Sequence, residues 1–196
     1  MIRIISGKLK GRLVNFSNAK FQNADITSQM MKEAFFSIIS TEKNETFLDL
    51  FSCSGQIALE AWSRGFNIVH AVELDRRRFL KLKENLSSIH VSEGIFVHNI
   101  DAGRFLEKCS NDKMIFDVIY IDPPYVKVEG SVSLYNEILE KIKRADILNP
   151  LGLAVIQHFG KNVIEFDADY YDYEKRRDYG SNSISFFRRK AFDKKD

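Results

Sequence analysis

Four consecutive residues, Asp122-Pro123-Pro124-Tyr125, carry the groups needed to hold a primary amine for alkylation. The exocyclic amine of a nucleobase is a poor nucleophile because its lone pair is delocalised into the ring. A carboxylate at Asp122 and the carbonyl of Pro123 or Pro124 can accept its two N–H bonds. The nitrogen then pyramidalises and turns its lone pair toward an electrophilic methyl group. Prolines suit the task, since φ is fixed and no N–H competes for the acceptors. The residue before a proline is pushed to an extended conformation, which directs the Asp122 backbone. Tyr125 can stack on the base, a contact worth roughly 1–3 kcal/mol. Methyl transfer from a sulfonium disperses charge, so positioning is the main catalytic effect. An ordinary turn would use Asp and Pro as well. Placement decides between the two, because the motif directly follows an apolar run and lies far downstream of a second strand–loop site.

The elements that must position this motif follow from hydrophobic pattern. Phe116–Ile121 is short, β-branched and aromatic, and is stopped by two prolines, which predicts a buried strand. In open α/β sheets ligands sit outside the carboxyl ends of the strands. Thr46-Phe47-Leu48-Asp49-Leu50-Phe51 predicts another buried strand, ending in Ser52-Cys53-Ser54-Gly55 and a helix over Ile57–Arg64. Strand, small-residue loop and helix N-terminus is a layout that lets backbone N–H groups approach a ligand. A tight turn with a helix cap is the plainer alternative. Ile68–Val72 is the next strand and ends in Glu73-Leu74-Asp75, an acidic tip at the spacing suited to ribose hydroxyls. A charged amphipathic helix over Asp75–Ile89 turns Phe79, Leu82 and Leu86 inward. A strand at Ile95–Val97 leads to Asn99-Ile100-Asp101-Ala102, where Asp101 can cap a helix over Ala102–Cys109 and also hold an adenine amine.

The remaining segments frame this core. Met1–Lys20 carries Arg3, Lys8, Lys10, Arg12 and Lys20 without an acidic residue, and predicts two short strands, Arg3–Ser6 and Arg12–Phe16, around a glycine-containing turn. Such a hairpin, outside the main core, can contact an RNA backbone or serve as a solvated edge that discourages aggregation. Thr27–Ile39 predicts a helix capped by Thr27 or Ser28, with Met31, Ala34, Phe35 and Ile38 on one face. Downstream come a helix at Val132–Arg144, a Pro150-Leu151-Gly152 break, a strand at Leu153–Gln157 and an exposed strand or turn at Tyr170–Tyr173. A closing hairpin follows, with arms at Lys175–Ser181 and Ile184–Phe187, and a frayed tail through Lys194-Lys195.

With 196 residues, 44% hydrophobic, the chain suits one globular domain with a substantial core and a small appendage, divided as 1–40 and 41–196. The net charge of +2 is too mild to identify a nucleic-acid partner by itself. Cys53 and Cys109 show neither disulfide nor metal-ligand spacing, so no metal is expected and a reducing cytoplasm is the default. No apolar run approaches the ~20 residues of a membrane span, and no signal-peptide core follows Ile4-Ile5. A monomer is expected.

These residues together resemble the RsmD-like family of small-subunit ribosomal RNA guanine-N2 methyltransferases, within the class I S-adenosylmethionine-dependent fold. The resemblance runs from Arg3-Ile4-Ile5-Ser6-Gly7-Lys8-Leu9-Lys10-Gly11-Arg12 through Lys32-Glu33-Ala34-Phe35-Phe36 and Asp49–Gly55. It continues through Glu73, Asp101 and Asp122–Tyr125 to Tyr179-Gly180-Ser181-Asn182-Ser183-Ile184-Ser185-Phe186. It implies an α/β, Rossmann-like architecture with a seven-stranded sheet in the order 3-2-1-4-5-7-6, strand 7 antiparallel, carrying a small N-terminal hairpin and helix. It implies S-adenosylmethionine held by Asp49, Phe51, Ser52, Cys53, Ser54, Gly55, Glu73, Leu74, Asp101 and Ala102. Asp122, Pro123, Pro124 and Tyr125 would form the catalytic set, and Arg3, Lys8, Lys10 and Arg12 would meet the substrate. That substrate would be small-subunit ribosomal RNA, free or within an assembling particle.

The chain departs from the family pattern at Cys53, where glycine is usual, and at Ala58, a second small glycine position. The segment Asp25–Met30 stands where the pattern is Arg-Pro-Thr-Thr-x-Arg, so arginines are missing at Asp25 and Met30. Competing functions are adenine-N6 methylation by the same motif and methylation of a release-factor glutamine, whose family resembles Asn-Pro-Pro-Tyr instead. A third is a non-catalytic RNA-binding assembly factor.

Overall fold

A computed structural model of the chain describes residues 1–15, 29–39, 45–91, 93–124 and 129–191. Tyr125, the Thr27 or Ser28 cap, Asp25, Lys20 and the lysine-rich tail lie outside the described residues. These residues form two compact units, Met1–Ala102 and Gly103–Asp196.

In the first unit, β1 (Ile2–Arg3) and β2 (Leu13–Val14) pair antiparallel around a 3-10 turn at Gly7–Leu9. Helix α1 (Gln29–Ile38) precedes β3 (Thr46–Asp49), α2 (Gln56–Arg64), β4 (Ile68–Val72), α3 (Arg76–Ser88) and β5 (Ile95–His98). The three larger strands are parallel, with Thr46 opposite Ile68 and Val69 opposite Ile95. Phe47, Leu48, Val69 and Ala71 have no exposed surface, as expected of parallel strands covered on both faces. Phe47 meets Phe66 edge-on at 5.0 Å and Phe35 at 6.2 Å, which anchors α1 against β3.

The N-terminal strands are shorter than the sequence predicts, and the hairpin is not set apart from the core. Ile5 and Ser6 donate their backbone N–H groups to the Glu60 carboxylate of α2, at 2.9 and 3.0 Å, and so leave the strand ladder. Glu60 is fully buried and also takes Arg64 Nε at 2.8 Å and Lys32 Nζ at 3.2 Å. Lys32 itself is buried and donates to the Arg3 carbonyl at 2.7 Å. Burial pulls the Lys32 amine below its usual range, and the Glu60 charge opposes this. The buried face of α1 is therefore Met31, Lys32, Phe35 and Phe36 instead of the expected stripe through Ala34 and Ile38. Ile4, Leu9 and Val14 are buried as well.

The second unit contains α4 (Ala102–Asn111), β6 (Phe116–Ile121), β7 (Gly130–Ser131), α5 (Ser133–Ala145), β8 (Leu148–Phe159), β9 (Asn162–Val163), β10 (Tyr171–Tyr179) and β11 (Asn182–Arg189). β6 and β8 are parallel, and β11 pairs antiparallel with both β8 and β10. Two predictions need correction here. β8 does not begin after the Pro150-Leu151-Gly152 break but runs through it: the register against β6 moves from Phe116–Leu148 to Val118–Leu153, and Leu151 takes φ +62°. A bulge of this kind is where a strand tolerates proline. Tyr170 and Tyr171 are buried instead of exposed, because Tyr171 donates its hydroxyl to the Leu139 carbonyl of α5 at 2.9 Å and packs edge-on against Phe187.

The seven longer strands follow the order β10-β11-β8-β6-β3-β4-β5. Counted along the chain without the two-residue strands, this is 3-2-1-4-5-7-6 with the last strand antiparallel, the order that the resemblance implies.

Gly7 and Gly11 both sit at positive φ, +79° and +85°, but in different surroundings. A Cβ on Gly7 would lie 1.7 Å from the Ser63 carbonyl oxygen of α2, whereas one on Gly11 would meet nothing within 4 Å. Gly11→Ala should therefore destabilise by about 1 kcal/mol, the left-handed backbone penalty alone. Gly7→Ala should destabilise by roughly 3 kcal/mol or more, because the hairpin must leave α2. Urea titrations of the two variants check this, and equal losses would contradict the docking.

Candidate active site

The carboxyl ends of β3, β4 and β5 carry three acidic groups of the first unit. After Asp49 the chain turns through Ser52, whose hydroxyl donates back to the Asp49 carbonyl at 2.9 Å. The Ser52 amide donates to the Val72 carbonyl at 2.8 Å, which ties the loop to the end of β4. Gly55 takes φ +76°, and a Cβ there would press on the Leu82 side chain of α3 at 2.8 Å. The chain then enters α2 with no side-chain cap from Gly55; the Gln56 N–H reaches Ser54 Oγ at 3.4 Å and the Ala58 N–H reaches the Asp49 carboxyl.

Glu73, at the tip of β4, organises this loop. Its Oε2 accepts the Cys53 N–H at 2.9 Å and its Oε1 accepts the Asp75 N–H at 2.7 Å. Cys53 adopts φ +45°, the conformation that glycine takes freely. The strain of about 1 kcal/mol for a left-handed residue is offset by a hydrogen bond to a charged acceptor, worth roughly 1.5–3 kcal/mol. Asp75 in turn caps α3, its Oδ1 accepting from Arg77 and Arg78 N–H at 2.9 Å each. These amides, with the Arg77 and Arg78 charges, hold the Asp75 carboxyl below its usual range. Burial is the largest influence on Glu73 and raises its pKa, against the Asp75 and Cys53 amides and the Arg78 charge.

Asn99 was not singled out from sequence, yet it joins two of these tips. Its Nδ2 donates to the carbonyls of Glu73 and Leu74, each at 2.9 Å. Its position just past β5 was the only available signal. Leu74 is exposed, as is Asp101, which immediately precedes α4.

Asp49 is 1% exposed, and its Oδ2 has no hydrogen-bond partner among the described residues. Burial lifts its pKa to about 7, partly opposed by hydrogen bonds from Ser52 and the Ala58 and Phe51 backbone; the Glu73 charge lifts it further. Asp49 is thus a buried carboxyl tied by hydrogen bonds to this loop and to the first turn of α2.

A carboxylate offers about four lone-pair sites. Two of those on Glu73 are used by the backbone, so each oxygen keeps capacity for one hydroxyl donor. A ribose diol fits this remainder, and the small-residue loop before α2 fits an approaching polar chain. The acidic tips and loop therefore suit a nucleoside cofactor.

In the second unit, Asp122 follows β6 directly, half-buried, with Pro123 buried and Pro124 exposed. Tyr135 of α5 is fully buried, and burial with the Asp122 charge raises its hydroxyl to about 12. The Tyr135 hydroxyl has no partner among the described residues. Nothing in its sequence neighbourhood singles Tyr135 out. Arg3, Lys8, Lys10 and Arg12 are all exposed around the N-terminal turn, with Lys8 Nζ 5.1 Å from the Trp62 ring.

A family model described as Conserved hypothetical protein 95 matches residues 2–188. Ribosomal RNA small subunit methyltransferase D of Buchnera aphidicola (subsp. Acyrthosiphon pisum) is 34% identical over 125 residues, and the match spans 63% of each chain. The Bacillus subtilis protein YlbH is 25% identical over 191 residues, covering 97% of this chain and all of that one. Among solved structures, Escherichia coli yhhF superposes with a TM-score of 0.82 at 22% identity, covering 97% of this chain and 99% of that one.

The raised Asp49 carboxyl links folding to pH. Native Asp49 holds its proton up to about pH 7, whereas its ordinary value is 3.8. The stabilisation is thus complete below pH 3.8 and is lost as pH rises through about 7. Asp49→Asn should flatten this decline, by up to about 4 kcal/mol across the window. Urea titrations at pH 4, 5.5 and 7.5 check it, and parallel pH profiles for the two proteins would contradict it.

Proposed function

The chain belongs to the Conserved hypothetical protein 95 family, and on that premise we propose that it methylates the N2 amine of a guanine in small-subunit ribosomal RNA. The observation that carries the proposal is Asp122 at the carboxyl end of β6, half-buried and followed by buried Pro123. S-adenosylmethionine would supply an electrophilic methyl group on a sulfonium. Glu73 would hold the ribose hydroxyls on its two remaining lone-pair sites, with Asp101 at the adenine edge and Phe51–Gly55 along the methionine side. Leu74 and Ala102, flanking the two acids, would line the nucleoside.

The target amine would donate one N–H to the Asp122 carboxylate and the other to the Pro123 or Pro124 carbonyl. Two acceptors on a stiff backbone fix the nitrogen and direct its lone pair, so the barrier falls mainly through orientation. Tyr125 would stack on the base. The exposed Arg3, Lys8, Lys10 and Arg12 would neutralise phosphates of the RNA, making affinity fall with salt. The name of the Buchnera relative agrees with an RNA of the small subunit as substrate.

The test is nucleoside mass spectrometry of small-subunit RNA, taken from a deletion strain and treated with purified protein and S-adenosylmethionine. N2-methylguanosine should form, and Asp122→Ala should lower its rate at least about 100-fold with the melting temperature unchanged. N6-methyladenosine in its place would support the adenine alternative. Near-normal turnover by Asp122→Ala would remove the amine-acceptor role.

A further inference from the structure

The second unit contains a cavity of about 280 Å³ among β8, β9, β10, β11 and the segment at 164–166. Its walls include Phe166, Tyr173, Phe187 and Arg176, and its buried floor includes His158 and Ser185. Phe166 and Tyr173 lie nearly parallel, 6.2 Å apart and 25° inclined, with Phe187 edge-on to Phe166 at 5.2 Å. The Arg176 guanidinium is held by the Gly160 carbonyl and by Asp178, while its Nη1 has no partner among the described residues.

The floor has a defined polarity. His158 Nδ1 lies 2.8 Å from the Phe159 carbonyl, which can only accept, so this nitrogen carries the hydrogen. Burial lowers the pKa of the ring, against the Phe159 hydrogen bond, and in the tautomer with the hydrogen on Nδ1 the Nε2 atom accepts from the Ser185 hydroxyl at 2.9 Å. Ser185 Oγ has thereby given its only hydrogen, and what it offers the cavity is an acceptor.

The cavity also has a place relative to the Asp122 motif. Ile156 of β8 lies opposite Ile121 of β6, so His158 stands one residue past the level of Asp122, one strand over. Parallel neighbours are about 4.8 Å apart. Tyr135, which feels the Asp122 charge, meets the His158 ring edge-on at 6.0 Å. Arg176 lies opposite Ser185 on the cavity side of β10, whereas Lys175 and Arg177 alternate to the other side, Lys175 Nζ lying 5.5 Å from the Phe186 ring.

We propose that this cavity receives an unstacked, amine-bearing base of the RNA strand, a neighbour of the methylated nucleotide. The aromatic walls offer stacking faces, as single-stranded RNA is commonly held. Ser185 Oγ accepts the base's amine, and Arg176 Nη1 donates to a ring nitrogen or carbonyl. Uracil has no exocyclic amine and is the poorest match to the floor.

The proposal rests on RNA being the substrate, and its test separates the two. The full chain, labelled for NMR, is titrated with 5′-AMP, 5′-GMP and 5′-UMP, with ribose 5-phosphate and inorganic phosphate as base-free probes. The purine nucleotides should shift the Phe166 and Tyr173 rings and the Ser185 amide, with 5′-UMP about tenfold weaker. Tyr173→Ala should weaken binding of a hexaadenylate about tenfold, Tyr173→Phe should restore it, and affinity for S-adenosylhomocysteine should not change. Equal shifts with ribose 5-phosphate would overturn the proposal, as would shifts with N-acetylphenylalaninamide but none with nucleotides. Nucleotide binding in the cavity without any methyl transfer to RNA would keep this site and remove the proposed activity. Methyl transfer with the cavity indifferent to nucleotides would do the reverse.

Discussion

The bond between Glu73 and the Cys53 backbone is the constraint on which the first unit's site depends. It is an ionisable group at 7% exposure, and its carboxylate spans two elements, the loop after β3 and the start of α3. Removing a carboxylate from water is unfavourable unless its lone pairs are answered, and here two backbone N–H groups answer them. The same bond holds Cys53 at positive φ, which shapes the loop. Asp75 and Asn99 extend the arrangement, one by capping α3 and the other by fixing the Glu73–Leu74 peptides from the end of β5. A ligand that adds hydroxyl donors to Glu73 completes a hydrogen-bond set that the fold has half filled.

A second buried carboxylate does comparable work in the middle of α2. Glu60 collects the Ile5 and Ser6 amides, Arg64 and Lys32, and so fastens the N-terminal turn and α1 to the same helix that the Glu73 loop begins. A buried ion pair contributes little net stability compared with apolar packing, but one partner without the other is strongly unfavourable. Its consequence here is placement: the hairpin backbone is fixed while Arg3, Lys8, Lys10 and Arg12 remain exposed at its rim.

Much of this was legible in the sequence because apolar runs ending in punctuating residues identify strands and their tips. Glu73 and Asp122 are legible as strand tips in that way, each directly past a short hydrophobic stretch, and Asp101 follows three residues after the end of β5. The order of the strands is not local information; it came from the resemblance, and the sheet agrees with it. What was missed depends on distant partners. Lys32 reads as a surface lysine until Glu60, far along the chain, is brought beside it. Tyr170 and Tyr171 sit among acidic residues that suggest solvent, but α5 supplies a carbonyl and β11 a ring to cover Tyr171. The strand through Pro150 was hidden because a proline ordinarily ends one, and the bulge that admits it is a property of the pairing with β6.

Both units place their acidic groups at the carboxyl ends of strands, which is where α/β sheets bind ligands. In this arrangement Glu73 would serve a nucleoside with the lone pairs that the backbone amides leave over. Isothermal calorimetry of the full chain with S-adenosylhomocysteine is the decisive measurement. One binding site is expected in the native protein, with at least about tenfold weaker binding after Glu73→Gln, which takes away the charge and half the acceptors. No heat with the native protein, or equal affinity for both, would contradict it.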